Sequence, residues 1–318
     1  MRITHRRAGH SVFLLCAALL SGSCGDGGFG VPPDGAVDLR LSWSESTPAA
    51  HGLDPAAFEA TADLAGEQER MRSLLVVHQG ELILERYFGP AIAAFMHDVR
   101  SVTKSIISTL VGFAIADGHI TSVDQTLGEI IPQNVAVLRA EQQSITIEHL
   151  LTMSGRFAWD ESTPAAYTAW RNSRDYLAYL LDPAMADAPG AAFEYNSAAV
   201  HLLGIALEEA IGGSLTDYAD EKLFVPLGIG VRTWEEMGSN RVNGGAGLDL
   251  QARDLARLGQ LFLQDGWSGN ERVLPPGWAD EASAPRFTWS FGFGPIPTIT
   301  YGYLWWVDQA NDAYFAWG

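Results

Sequence analysis

Cysteine is nearly absent from this chain: Cys16 and Cys24 are its only two in 318 residues. The body of the protein therefore has no disulfide framework and no thiolate for metal or nucleophilic chemistry. None of the eight histidines falls in His-Glu-x-x-His or a close pair, so metal catalysis lacks support as well. No Gly-x-Ser-x-Gly elbow occurs, which argues against the α/β-hydrolase route to a serine nucleophile. Gly244-Gly245-Ala246-Gly247 and Gly292-Phe293-Gly294 are too short and wrongly placed to cradle nucleotide phosphates, and both read as loops. Positive charge is also scarce. The formal charge is -18, and taking Arg2, Arg6 and Arg7 away with a leader leaves -21. Nucleic acid is an unsuitable partner for such a surface.

Lysine is the other scarcity, with two residues, Lys104 and Lys222, against eighteen arginines. Arginine stays protonated at any working pH, whereas a desolvated lysine can lose its proton and act as a base. Lys104 stands three residues after Ser101, at the start of a long helical pattern ending at Asp117-Gly118. Residues three apart share a helix face, so the amine can reach the hydroxyl. A serine in the first turn also feels the positive helix end, and its own N–H can donate to an oxyanion. Ser-x-x-Lys alone is a weak signal, because a capping serine followed by a surface lysine gives the same letters. Further along, Tyr195 follows Ala188-Pro189-Gly190 and precedes the apolar helix Ala198 to Ile211. A tyrosine at such a junction can present its phenol to a cleft and relay a proton.

The rest of the chain organises around these groups. A basic opening, the apolar run Ser11 to Leu20 and following small residues form the layout of a secretory signal over 1–24. The apolar run is too short for a permanent membrane span. Cys24 is a candidate for lipidation, with ordinary cleavage as the alternative, so an exported, periplasmic or envelope location is expected. Residues 25–50, rich in Gly, Pro, Ser and Asp, read as a flexible linker, with order beginning near Leu53. Asp54-Pro55 caps a helix to about Gly66, and Gln79-Gly80 joins the strands Ser73–Val77 and Leu82–Leu84. Helical signals dominate to about Arg241. Asp249 to Gln264 reads as one more helix, Thr298 to Val307 as one strand, and a further strand starts at Ala313.

Val99-Arg100-Ser101-Val102-Thr103-Lys104, Ile145 to Gly155 with His149-Leu150-Leu151, Pro189-Gly190 with Tyr195-Asn196-Ser197, Gly247 to Arg257, and Tyr301 to Trp306 together resemble the β-lactamase-related serine hydrolases. That family spans class C β-lactamases, D-alanyl-D-alanine carboxypeptidases, esterases and 6-aminohexanoate-oligomer hydrolases. The resemblance implies an α+β, β-lactamase/transpeptidase-like fold over 51–318. Its antiparallel sheet is built from the two ends of the domain, about 51–100 and 245–318, with a helical lobe inserted at about 101–244. It implies Ser101 as acylated nucleophile, Lys104 as its base and Tyr195 as proton shuttle. Ser197 stands where lactamases have Asn, at a substrate-binding position, which favours the esterase and linear-amide branches over β-lactams. Tyr314 to Gly318 is similar to the approach to the family's third motif, a Gly-containing strand beside the nucleophile. The closing strands and C-terminal helix of the fold are expected beyond Gly318. The expected ligand is a small ester or amide, with no cofactor or metal. A noncatalytic, penicillin-binding-like envelope protein of the same fold and an inactive truncated fragment are the rival readings, and oligomeric state is left open.

Overall fold

The computed structural model describes residues 31–238, 241–289 and 296–318. The leader at 1–24, Cys24, the first part of the expected linker and Gly292-Phe293-Gly294 lie outside them. Residues 37–45, expected to belong to the linker, are packed. Leu39 and Trp43 are buried, Leu39 N donates to Ser268 Oγ at 2.9 Å, and β1 (Ser44–Glu45) pairs in parallel with a later strand. Two apolar side chains in a polar stretch are enough to dock it.

After a short 3-10 turn, α1 (Pro55–Gly66) starts as the sequence predicts, with Asp54 accepting from Ala56 N at 3.0 Å. The hairpin β2 (Ser73–His78) and β3 (Glu81–Tyr87) turns through Gln79 and Gly80, both at positive φ. Two successive left-handed residues match the twist of the flanking strands, and Gly80 also packs where a Cβ would meet Val37 at 2.5 Å. The sheet order is β1-β3-β2.

Strand β4 (Met96–Asp98) feeds α2 (Val102–Ala116), whose first thirteen residues are all buried. Short helices follow: α3 (Leu127–Ile130), α4 (Ala140–Gln143), α5 (Ile147–Leu151), α6 (Pro164–Arg171) and α7 (Tyr176–Leu181). The second long apolar helix, α8 (Ser197–Ile211), packs against α2. An apolar face all round marks a helix buried on every side, and α2 and α8 form the centre of the molecule. Next come α9 (Leu215–Ala219) and a π-helical turn, then β5 (Thr233–Trp234) and β6 (Leu248–Gln251), ordered β4-β6-β5.

Helix α10 (Ala252–Leu263) starts three residues later than expected, because Asp249 belongs to β6. The hairpin β7 (Trp267–Ser268) and β8 (Glu271–Arg272) and helix α11 (Trp278–Ser283) lead to a four-stranded sheet. Its strands are β9 (Phe287–Trp289), β10 (Ile299–Tyr301), β11 (Trp306–Asp308) and β12 (Ala313–Phe315), in the order β12-β11-β10-β9 and all antiparallel. Thr298 to Val307 is thus not one strand: Leu304, at φ 60°, helps reverse the chain between β10 and β11. The expected α+β fold holds, with most strands from the two ends of the domain and helices between them, although β5 falls inside the stretch expected to be helical and pairs with β6.

Candidate active site

The site begins where β4 turns into α2. Asp98 Oδ1 accepts from Arg100 N at 3.0 Å, and Arg100 sits at φ 50°, a conformation a non-glycine residue adopts only under constraint. That turn leaves Ser101 at the N-cap of α2, one residue ahead of the first turn in which it is expected, and the side chain makes no capping bond. The capping explanation for Ser101 therefore fails. Its Oγ instead accepts a hydrogen bond from Lys104 Nζ at 2.8 Å.

Lys104 is 1% exposed, and among the described residues Nζ has one other hydrogen-bond acceptor, Gly245 O at 2.6 Å. Burial brings its ammonium down to about 8, against a smaller upward pull from Glu161. The carbonyl that holds it comes from the 243–247 loop, read from sequence only as a loop. A Cβ on Gly245 would stand 2.5 Å from Ser197 O, and one on Gly244 would stand 2.7 Å from Val200 O. Glycine is what lets this loop press against α8. Asn243, fully buried, anchors it by accepting from Gly245 N at 3.0 Å and donating to Glu235 at 3.0 Å.

Tyr195 joins the pair from the entry to α8. Its ring centroid lies 5.0 Å from Lys104 Nζ, and the ring stacks on Trp306 at 6.0 Å. Burial raises the phenol, and a hydrogen bond with Ser101 works the other way. The approach to α8 is fixed by Asn196, which caps the helix through Ala199 N at 2.8 Å, and by Glu194 N, which donates to Met153 O at 2.7 Å. Ser101, Lys104 and Tyr195 are thus brought together from sequence positions up to 94 residues apart.

Ser197 also lines the cleft, but its hydroxyl is already committed, donating to Glu161 Oε1 at 2.7 Å. Glu161 Oε2 accepts from Ser197 N at 2.8 Å and from Trp159 Nε1 at 3.0 Å. Sequence reasoning missed Glu161. Its one signal was its place in the aromatic loop after Gly155. Of the aromatics there, Tyr167 lines the cleft, whereas Trp170 is wholly buried and Trp159 nearly so. The cleft encloses about 490 Å³.

Strand β12 carries the chain toward the nucleophile. A Cβ on Gly318 would lie 2.9 Å from Ser101 N and 2.1 Å from Val99 O, so this position beside the nucleophile admits only glycine. Among the described residues, no group of three or more His, Cys, Asp or Glu side chains could hold a metal ion.

The family model for beta-lactamase matches residues 62–318, the stretch that holds the serine, the buried lysine and the tyrosine. The chain belongs to the beta-lactamase family. The family is one of hydrolases, with esterase and amidohydrolase neighbours. The 6-aminohexanoate-dimer hydrolase of Paenarthrobacter ureafaciens is 27% identical over 227 residues, 67% of this chain and 57% of that protein. This chain therefore spans little more than half the length of that relative. Among solved structures, a provisionally assigned 6-aminohexanoate-dimer hydrolase from Bacillus anthracis superposes with a TM-score of 0.64 and 18% identity, covering 91% of this chain and 85% of that one. EstCE1, a hydrolase with promiscuous acyltransferase activity, gives a TM-score of 0.64 at 17% identity, covering 83% and 93%. At these identities the structural likenesses speak for the fold alone.

Proposed function

We propose that this beta-lactamase-family chain is a serine hydrolase that cleaves esters or linear amides through an acyl-enzyme on Ser101. The observation that carries the reading is the buried Lys104 amine, 2.8 Å from a Ser101 hydroxyl that makes no capping bond and, among the described residues, in no ion pair with a carboxylate. In the first step Ser101 Oγ bonds to the substrate carbonyl carbon and its proton passes to Lys104 Nζ. The Ser101 N–H, at the start of α2, donates to the developing oxyanion. Collapse of the tetrahedral intermediate breaks the bond to the alcohol or amine, which leaves with a proton relayed through Tyr195. Water then attacks the acyl carbon, the same groups carry its proton, and acid product and free Ser101 are restored.

Esters and linear amides are favoured over β-lactams because Ser197 offers a short hydroxyl in place of an amide, and that hydroxyl is engaged by Glu161. The relatives named above, one a hydrolase of the 6-aminohexanoate dimer and another a hydrolase with acyltransferase activity, support the same side. Export through residues 1–24, with or without lipid on Cys24, is part of this reading and rests on the sequence.

Intact-mass spectrometry after exposure to a fluorophosphonate and, separately, to a penicillin tests the assignment. A single fluorophosphonate adduct that disappears in Ser101→Ala, with little or no penicillin adduct, is the expected result. No adduct on folded protein would move the noncatalytic binding reading ahead.

A further inference from the structure

Four carboxylates line the cleft, and three of them have partners that account for them. Asp98 pairs with Arg100 at 3.3 Å, Glu235 with Arg171 and Asn243, and Asp249 accepts from Thr233 Oγ1 at 2.6 Å. Glu161 differs in how it is held. Among the described residues neither it nor Asp249 has an ion pair with an arginine or lysine, but Glu161 takes three hydrogen bonds, from Ser197 N, Ser197 Oγ and Trp159 Nε1. Two of those donors belong to the first residue of α8, two positions after Tyr195, so the carboxylate is fixed against the element that presents the phenol.

The placement is unusual for a carboxylate with a merely local job. A helix start can be satisfied by its own cap, and α8 already has Asn196 in that role. What Glu161 adds is a held negative charge in the same cleft as Ser101. The titratable groups around Lys104 are few: Tyr195 from the entry to α8, with Tyr167 from α6 and Tyr301 from β10 around Tyr195 in turn, and Glu161 from the loop after Gly155. Glu161 is the one carboxylate among them. Arg100 and Asp98, at the end of β4, largely answer each other, and Gly245 contributes only its carbonyl.

Resting on the serine hydrolase reading, we propose that Glu161 is a positioning residue of this site: clamped by Ser197 and Trp159, it supplies a fixed negative charge that sets the pH at which the Lys104–Ser101 pair becomes competent. A negative charge nearby favours the ammonium form of Lys104 over the free amine. Removing that charge therefore frees the amine at lower pH. Ser197, expected to meet substrate directly, acts here by holding Glu161.

The rate of fluorophosphonate labelling of Ser101, followed by intact mass from about pH 6 to about pH 10, reads this without any need to know the substrate. For the unmodified chain the rate is expected to rise with a midpoint near the Lys104 value of about 8. In Glu161→Gln the midpoint is expected to fall by roughly half to one pH unit, so labelling on the acid side becomes about three- to tenfold faster. Ser197→Ala keeps the charge and two of its three hydrogen bonds, from the residue 197 N–H and Trp159 Nε1, and is expected to move the midpoint much less than Glu161→Gln does. Glu161→Ala serves as a second neutral variant should the glutamine form fail to fold, and added acetate, filling the vacated position, is expected to raise its midpoint again. An unchanged or raised midpoint in the neutral variants, an equal shift in Ser197→Ala, or a profile that does not rise through this range in the unmodified chain overturns the assignment. Absence of any Ser101 adduct in the unmodified chain would instead remove the hydrolase reading itself.

Discussion

At the level of single residues, the site is organised around a lysine kept against the grain of folding stability. In the folded chain Lys104 holds its proton only to about pH 8, against an ordinary value of 10.5, because burial strips the ammonium of water. The unfolded chain therefore binds the proton more tightly. Stability rises with pH between those two values, and below the lower one the full penalty, on the order of 3 kcal/mol, weighs on the native state. Lys104→Met removes that penalty but leaves Gly245 O and Ser101 Oγ without their donor, at about 1–3 kcal/mol. Urea unfolding is expected to show the variant at least as stable as the parent near pH 7 and less stable near pH 11, with labelling of Ser101 abolished throughout. A variant whose relative stability does not fall with rising pH would contradict the buried, depressed lysine.

Elements divide the same way between architecture and chemistry, and two glycines show it. Gly112 lies in α2 where a Cβ would stand 2.5 Å from the Trp278 ring of α11. Alanine gains about 0.5–1 kcal/mol in helix propensity there. Overpacking against a buried indole costs about 1–3 kcal/mol, so the clash wins. Gly112→Ala is expected to lower Tm while leaving the labelling rate of the folded protein nearly unchanged. Gly245→Ala should do the reverse: its Cβ meets backbone, Ser197 O, and the loop must shift and carry its carbonyl away from Lys104. A labelling rate reduced at least about tenfold, with a smaller change in Tm, is the expected outcome.

What could be read from the sequence follows from the range of the interactions involved. The Asp54 cap, the Gln79-Gly80 turn, and the apolar helices α2 and α8 are local patterns, and each sits where its residues predict. Ser101 and Lys104 are equally local, three apart on one helix. Glu161 reaches Ser197 across 36 positions and Gly245 reaches Lys104 across 141, and no periodicity records such meetings. Asp249 reads as the start of a helix because its polarity suits one. Its place in β6 is decided by pairing with Asp98 and Thr233, neither of which is near it in sequence.

For the molecule as a whole, the consequential departure from sequence expectation is the strap at 37–45, which ties the start of the domain to its far end. Val37 exchanges hydrogen bonds with Gln264, Leu39 N donates to Ser268 Oγ, and Arg40 pairs with Asp38 and Glu271, while β1 extends the first sheet beside β3. The exposed ion pairs contribute little. Burial of Leu39 at 2% exposure and Trp43 at 8% is the larger effect, and truncating such side chains costs about 2–5 kcal/mol each. Shortening the chain to begin at Val37 is expected to leave Tm nearly unchanged, since Val31 to Ala36 are exposed or only half-buried. Beginning it after Glu45 should lower Tm by several degrees, and Trp43→Ala alone should reproduce most of that loss. Equal melting temperatures for the two shortened forms would show that the strap lies on the fold without stabilising it.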